Sequence, residues 1–277
     1  FWLKPFPSQV INLAHWTILT LLISNLTAMA ETTPLINQPG ADISAISDKE
    51  VRHGFIRKVY GILGCQLLLT TLIAGLITIY GANLVVHSPG TVMTLIVLST
   101  AMSIGVLCTF MCCPDTMRNS PTNYLLLTAF TVAESVLVGF ICVQYTVQSV
   151  LVTLAITAAV VLTLTLFAFQ TKYDFTGFMP YLFSALMVLF FFGLALSIAS
   201  WCGAAGSGAF KVLNLVYAGL GALIFSFYII LDTQLIVGGK HNKHRFSIDD
   251  YCMAAINIYV DIIQLFLFLL ELFGNRR

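Results

Sequence analysis

Seven long apolar runs are the feature that most constrains how this chain folds. They cover approximately residues 59–80, 91–113, 123–144, 149–169, 178–201, 209–237 and 252–273. Each contains about 20 residues or more, which is the length that an α-helix needs to cross the hydrocarbon core of a bilayer. Charged residues make up only 9% of the chain, whereas about 25% is usual in soluble domains. The runs therefore predict transmembrane helices.

The loops between these runs are short, so neighbouring helices should pack antiparallel in one compact domain. We therefore predict an all-α integral membrane protein in which residues 51–277 form a bundle of seven transmembrane helices. Residues 29–50 are polar and contain proline, and we predict that they form a disordered cytosolic segment. Residues 1–28 contain one apolar patch, Trp16–Leu22, which is too short to cross a bilayer. We interpret them as an upstream or extraneous extension, with a signal anchor as the alternative.

Lysine and arginine are distributed unequally between the two ends of the predicted helices. If all seven runs cross the bilayer, nine of these residues lie on the side of the amino terminus and three on the opposite side. The nine are Lys49, Arg52, Arg57, Lys58, Arg118, Lys172, Lys240, Lys243 and Arg245, and the three are Lys211, Arg276 and Arg277. Because these residues favour the cytosolic side, we expect a cytosolic amino terminus. The two terminal arginines oppose this orientation, so a re-entrant final segment stays open as the alternative.

Two aspartates lie well inside the last two apolar runs. Asp232 is in the sixth run and Asp261 is in the seventh. A carboxylate in hydrocarbon is costly unless it is protonated, paired or in contact with water. At the helical rise per residue, the two positions differ in depth by roughly 5 Å, which permits contact between antiparallel neighbours. Glu134 in the third run is another acid of this kind, and we expect all three to point inward.

The other polar residues of the last run share one helical face with Asp261, since residues three and four apart lie on the same face. This face comprises Asp250, Ala254, Asn257, Asp261, Gln264, Phe268 and Glu271. Asn214 lies on a comparable stripe of the sixth run with Asp232. We expect these residues to line a polar path through the bundle. The predicted ion pathway comprises Glu134, Asn214, Asn257, Gln264 and Glu271.

Two neighbouring carboxyl groups in a medium of low dielectric constant do not readily ionise together, so Asp232 and Asp261 should share one proton. No lysine or arginine lies in the middle of a run to neutralise them. Calcium prefers clustered carboxylate and amide oxygens, which the pair supplies together with Asn257 and Gln264. The missing cation is a proton at lower pH or a metal ion such as Ca²⁺. We therefore predict that Asp232 and Asp261 form a pH-sensitive gate that controls, and can transiently bind, a cation on its way through the bundle.

Several other classes of protein are disfavoured by the sequence. The net charge is +1, and no basic cluster with interleaved aromatic residues occurs, so we expect no nucleic-acid partner. The seven cysteines form no CxxC pattern, and we interpret most of them as small buried residues rather than as a zinc site or a disulfide framework. We expect no enzymatic activity and no cofactor.

Five segments carry a resemblance to a known family. Three of them are RHGFIRKVYGILGCQLLLT from residue 52, CCPDTMRNSPTNYLLLTAFTVAESVLVGF from residue 112 and TKYDFTGFMPYLF from residue 171. The two most specific are GALIFSFYIILDTQLIVGGKH from residue 221 and YCMAAINIYVDIIQLFLFLLELFG from residue 251. In this order they resemble the transmembrane Bax inhibitor motif proteins, particularly the lifeguard branch.

The resemblance implies a seven-helix fold with the last helix at its centre. It also implies internal membranes, with the endoplasmic reticulum or Golgi expected and the plasma or vacuolar membrane as alternatives. The family suppresses cell death and conducts a pH-governed calcium leak through a pair of aspartates, which match Asp232 in ILDTQ and Asp261 in YVDII. Its buried glutamate of the third span matches Glu134. Membrane proteins that regulate cell death or stress are the partners implied.

Two alternatives remain at this point. The first is a regulator that binds other membrane proteins without transporting an ion, in which the aspartates are structural. The second is an intramembrane aspartyl protease, because such enzymes also carry one aspartate in each of two adjacent late helices. The protease motifs resemble YD and GxGD followed by a PAL turn, whereas Asp232 follows Leu231 and no PAL sequence occurs.

Overall fold

The structure of the protein, a computed structural model, describes residues 33–34, 42–113, 116, 119–238, 244–245 and 250–277. Within these ranges it contains seven helices that are long and apolar enough to cross a membrane. They are α1 (Asp42–His87), α2 (Pro89–Cys112), α3 (Thr122–Cys142), α4 (Val147–Gln170), α5 (Met179–Trp201), α6 (Gly208–Val237) and α7 (Tyr251–Phe273). The prediction of an all-α bundle of seven membrane helices is confirmed.

Short elements complete the described part of the chain. Thr33–Pro34 (β1) and His244–Arg245 (β2) pair in antiparallel orientation. Single turns of 3-10 helix, at Thr176–Phe178 and Ala204–Gly206, precede α5 and α6. These elements lie at the ends of the long helices, so the bundle itself consists of α-helix.

Some of the predictions concern residues near the amino terminus and in the loops. The extension at residues 1–28 lies outside the described residues, as do Arg118, Lys240 and Lys243, which were used to assign the orientation. Within the segment 29–50, the described parts are β1 and the first residues of α1, which begins at Asp42.

The outer surface of the bundle is rich in exposed apolar side chains. Leu68 of α1, Leu151 of α4 and Val188 of α5 are each exposed over at least 60% of their surface. Large apolar surfaces of this kind are rare on proteins surrounded by water, whereas hydrocarbon requires them. Together with the length of the helices, this surface indicates an integral membrane protein.

The cysteines differ from the prediction. All seven are free, and only Cys142 and Cys252 are buried. The interpretation as small buried residues is therefore wrong for the other five, because their positions turn toward the outside of the bundle or lie at helix ends. These five are Cys65, Cys108, Cys112, Cys113 and Cys202.

The last helix, α7, is enclosed by other helices along nearly its whole length. Every residue from Tyr251 to Leu270 is buried, and α7 packs against α6, α1, α4 and α3. The polar stripe expected on α7 is thus buried together with the remaining faces of the helix. Because all faces of α7 are buried, burial does not show which face lines a polar path. Only the contacts of the individual side chains can show this.

The same helix runs from one end of the bundle to the other. At its start, Nζ of Lys58 in α1 lies 3.2 Å from the centre of the Tyr251 ring. Beyond its end, Arg276 forms an antiparallel bridge with Tyr145 in the loop between α3 and α4. We call these the Tyr251 end and the Tyr145 end of the bundle. The helix is thus continuous from one end of the bundle to the other.

Candidate functional site

Asp232 of α6 and Asp261 of α7 meet inside the bundle. Their carboxyl groups are close enough to interact electrostatically, and the exposed fractions of the two residues are 2% and 0%. The two helices run antiparallel and pack over a long contact, so residues that lie at similar depth face each other. The structure thus brings the two predicted gate residues together.

The two acids have few polar partners. Neither carboxyl oxygen of Asp261 has a hydrogen-bond partner among the described residues. An ionised carboxylate only accepts hydrogen bonds, so two ionised carboxylates cannot bond to each other. A proton on one of the two would allow it to donate to the other, whereas two ionised groups would repel each other.

Hydroxyl groups, rather than cations, surround the pair. Tyr228 lies one helical turn before Asp232, and its buried hydroxyl interacts electrostatically with both acids. That hydroxyl has no hydrogen-bond partner among the described residues. The Tyr60 hydroxyl donates to Thr233 Oγ1 at 3.4 Å, next to Asp232. In the described part of the chain, no lysine or arginine forms an ion pair with either acid, so their charge is not compensated by the protein.

A close approach between α6 and α7 holds the two acids at contact distance. A Cβ atom at Gly221 would lie 2.5 Å from the ring of Phe268, so only glycine leaves room for that ring. Phe268 also stacks on Phe225, with ring centres 5.6 Å apart and planes at 19°. Its ring meets the edge of Tyr217 at 5.4 Å between centres. These contacts set the spacing of the helices that carry the acids.

Arg52, which the sequence analysis used only for orientation, binds the end of α6. Its Nη2 donates to the carbonyl oxygen of Leu235 at 2.7 Å, and its Nε donates to that of Val237 at 3.2 Å. The last carbonyls of a helix have no partner within the helix, and α6 ends at Gly238 with a φ of 59°. The basic residues that precede the first apolar run and the glycine that follows α6 are evident in the sequence, but the contact between these two segments is not.

Glu134 lies in a second polar cluster, formed by α1, α3 and α7. The hydroxyls of Thr70 and Tyr259 are 2.8 Å apart, and Ser135 donates to Thr70 Oγ1 at 3.1 Å. Glu134 is 3% exposed and interacts electrostatically with Tyr259. Tyr259 and Asp261 are two residues apart on α7, so they point to nearly opposite sides of that helix. Glu134 is therefore buried, but α7 separates it from the acid pair.

The predicted amides take different positions. Asn257 and Gln264 are buried in α7, on either side of Asp261 along the helix and about one turn from it. Asn214 is half-buried and lies 18 residues before Asp232 in α6, a distance of about 27 Å along the helix. The structure therefore keeps Asn257 and Gln264 near the depth of the acid pair and places Asn214 toward the Tyr145 end.

Glu271 also belongs to the Tyr145 end, where it has a cationic partner. Its Oε1 lies 3.7 Å from Nη2 of Arg276. The following backbone is bonded to the loop between α3 and α4, since Thr146 N donates to the carbonyl oxygen of Asn275 at 3.0 Å. Burial raises the pKa of Tyr145 in this loop, although the nearby Arg276 guanidinium opposes the rise. Glu271 is therefore an ion-paired acid outside the Asp232–Asp261 contact.

The acid pair offers few ligands for a metal ion. Among the described residues, no group of three or more His, Cys, Asp or Glu side chains could hold a metal ion. Calcium takes six to eight oxygen ligands in a stable site, whereas the pair offers two carboxyl groups. The buried amides of Asn257 and Gln264 are the nearest predicted additions on α7. These residues would supply only part of the coordination shell of a calcium ion.

Comparisons with known proteins cover nearly all of the bundle. The family described as "Inhibitor of apoptosis-promoting Bax1" matches residues 52–277. Protein lifeguard 3 of Homo sapiens is 36% identical over 240 residues, which cover 83% of this chain and 71% of that protein. Protein lifeguard 3 of Mus musculus is 37% identical over 239 residues, with the same coverage. Protein LIFEGUARD 3 of Arabidopsis thaliana is 36% identical over 225 residues, which cover 80% and 84%.

Proposed function

The chain belongs to the family of inhibitors of apoptosis-promoting Bax1, in its lifeguard branch, and on that premise we propose that it is a pH-sensitive calcium leak pathway of internal membranes. Membership of this family implies a membrane protein that opposes cell death. A leak that lowers the calcium stored in the endoplasmic reticulum or Golgi reduces what those stores can release. The proposal gives the two buried acids a gating role and no catalytic step.

The single observation that carries the proposal is the buried proximity of Asp232 and Asp261, where neither carboxyl oxygen of Asp261 has a hydrogen-bond partner among the described residues. One shared proton makes this contact attractive, and its loss makes the contact repulsive. The acids lie on the two helices that contact each other most extensively in the described part of the chain. A change of protonation therefore acts directly on the α6–α7 interface.

Calcium is the cargo that fits this chemistry. It is a hard cation that prefers oxygen ligands, and the two carboxyl groups attract it when they lose their shared proton. The proton and the cation compete for the same oxygens of Asp232 and Asp261. The polar residues Asn257 and Gln264 continue the oxygen-bearing region along α7. Glu134 lies inside the bundle on the other side of that helix. We propose that it is a second carboxyl group along the ion pathway.

The test is calcium flux into vesicles that contain the purified full chain, measured with an enclosed fluorescent indicator over a pH series. We expect wild-type flux to change with pH. The double variant Asp232→Asn/Asp261→Asn keeps the size and hydrogen-bonding capacity of both side chains but releases no proton in this range. Its flux should be the same at every pH.

Glu50→Gln is the matched control, because Glu50 is an exposed acid at the start of α1 and far in sequence from the pair. Its flux should keep the wild-type pH response. A double variant that responds to pH as the wild type does would disprove the proposed gate. Absence of flux in a wild type that still protects cells would instead support the alternative of a non-transporting regulator of membrane proteins.

A further inference from the structure

An apolar groove opens on the side of the bundle between α1 and α4. Its volume is about 460 Å³, and its floor is formed by α3 and α7. Ala74 and Gly75 contribute to the α1 wall, Leu154 and Ala158 to the α4 wall, and Phe266 to the floor. The groove is separate from the contact between Asp232 and Asp261, although it shares α7 with that contact.

The polar groups of the groove are already satisfied. Four threonines line it, and each donates its hydroxyl hydrogen to the carbonyl oxygen four residues earlier in its own helix at 2.7–2.9 Å. They are Thr70, Thr71, Thr78 and Thr157. None of the described residues that line the groove is charged. A groove of this composition offers nothing to an ion and favours an apolar ligand.

The groove is elongated along the helix axes. Its α1 wall runs from Leu67 to Ile79, which is about 18 Å at the rise of an α-helix. An extended hydrocarbon chain can lie along this length with its methylene groups in van der Waals contact with the walls. A helix of a partner protein or of a second copy is the competing occupant, and it would shield α7 from a lipid label.

The rim of the groove continues the lipid-facing surface of the bundle. Ile79 on α1, together with Leu151 and Leu162 on α4, lines the groove, and all three are about 60% exposed. At this depth the surrounding medium is the hydrocarbon of the bilayer. The groove thus opens sideways to the acyl chains of membrane lipids rather than to water.

We propose that this groove binds one acyl chain of a bilayer phospholipid, which rests against α7. Burial of apolar surface supplies little driving force inside a bilayer, because lipid tails are as apolar as the side chains. The bound chain is instead held by van der Waals contacts with the walls and the floor. Ile262 and Phe266 supply the floor contacts from α7, and Ile262 directly follows Asp261. The site does not depend on the gating role proposed for the acids.

The experiment uses a phosphatidylcholine with a photoreactive diazirine near the middle of one acyl chain, in vesicles that contain the full chain. After illumination, mass spectrometry locates the labelled peptides. We expect labels to concentrate on the groove walls around Leu154 and on the α7 floor around Phe266. Labelling spread evenly over the exposed apolar surface, without enrichment in α7, would overturn the proposal.

Gly75→Leu provides the variant that fills the groove. A Cβ atom at Gly75 meets nothing within 4 Å, and the same holds for Gly64, which lies on the same helix outside the groove. We expect Gly75→Leu to reduce α7 labelling several-fold and Gly64→Leu to leave it unchanged. Ala158→Leu, which fills the groove from α4, should reproduce the loss if Gly75→Leu alters folding. Equal α7 labelling in these folded variants would contradict the inference.

Discussion

Two acids of α7 show how differently one helix can accommodate a carboxyl group. Glu271, at the Tyr145 end, is partly exposed and lies 3.7 Å from the guanidinium of Arg276. Asp261, ten residues earlier, is fully buried, and its neighbours in the described part of the chain include the carboxyl group of Asp232 and the hydroxyl of Tyr228 but no cation. A cation therefore accompanies the first acid, whereas the second lies beside another acid.

This contrast shows why burial alone does not identify a gate. A buried acid with a permanent counterion has its charge compensated in every state of the protein. An acid pair without a counterion changes from attraction to repulsion when a proton leaves. The Asp232–Asp261 contact is of the second kind and lies on the α6–α7 interface. On the proposed function, a change of pH at this contact would change the packing of the two helices.

The largest effect is expected from Gly221→Ala, which pushes α6 and α7 apart. The added methyl group would meet the Phe268 ring, and overpacking of this kind costs about 1–3 kcal/mol. We expect the free energy of unfolding in detergent micelles to fall by that amount. Gly219→Ala is the matched control, because its Cβ meets nothing within 4 Å. It should leave stability unchanged or raise it by less than about 1 kcal/mol. An equal effect of the two variants would show that the close approach is not needed.

The second prediction compares the two acids directly through the pH response of calcium flux. Asp261→Asn keeps the volume of the side chain but removes the shared proton. A response governed by one proton changes by up to about tenfold per pH unit, and this variant should lose it. Glu271→Gln removes a carboxyl group that has its own cation, so its response should remain. If only Glu271→Gln lost the pH response of calcium flux, the gate would have to lie at the Tyr145 end instead.

The smallest effect is expected from Arg276→Gln, which leaves Glu271 without its cation. Partly exposed ion pairs contribute about 0.2–1 kcal/mol, and salt screens them. We expect the free energy of unfolding at low salt to fall within that range and the difference to shrink at high salt. Arg277→Gln is the control, since the bond of Arg277 to Gln144 uses its backbone N–H. A loss well above this range would show that Glu271 behaves as a buried, unpaired acid.

The depth of the two aspartates could be predicted because it follows from position within a helix. The rise per residue placed Asp232 and Asp261 at similar depth, and the structure brings them into contact. The inward direction of Glu134 followed from the cost of placing a carboxyl group in lipid, and that residue is buried. Its separation from the pair by α7 could not be predicted, because it depends on which helices are neighbours.

The polar stripe on α7 was a weaker guide. The sequence predicted one inward face, which assumed that the other faces of this helix would contact lipid. Since every residue from Tyr251 to Leu270 is buried, the contacts of each residue decide its role. Two further contacts could not be predicted from the sequence patterns. Arg52 binds the end of α6, and Glu271 pairs with Arg276.

The sequence by itself determined the number of membrane helices and the presence of uncompensated acids within them. Both follow from local properties, since each apolar run satisfies its own backbone hydrogen bonds in lipid and each acid has a fixed depth on its helix. The tertiary structure alone decided which faces meet, which acid has a cation and where the groove between α1 and α4 lies. Helices in lipid associate through close packing and polar contacts rather than through a hydrophobic force. Their rotation and order therefore depend on the shapes of all seven helices together.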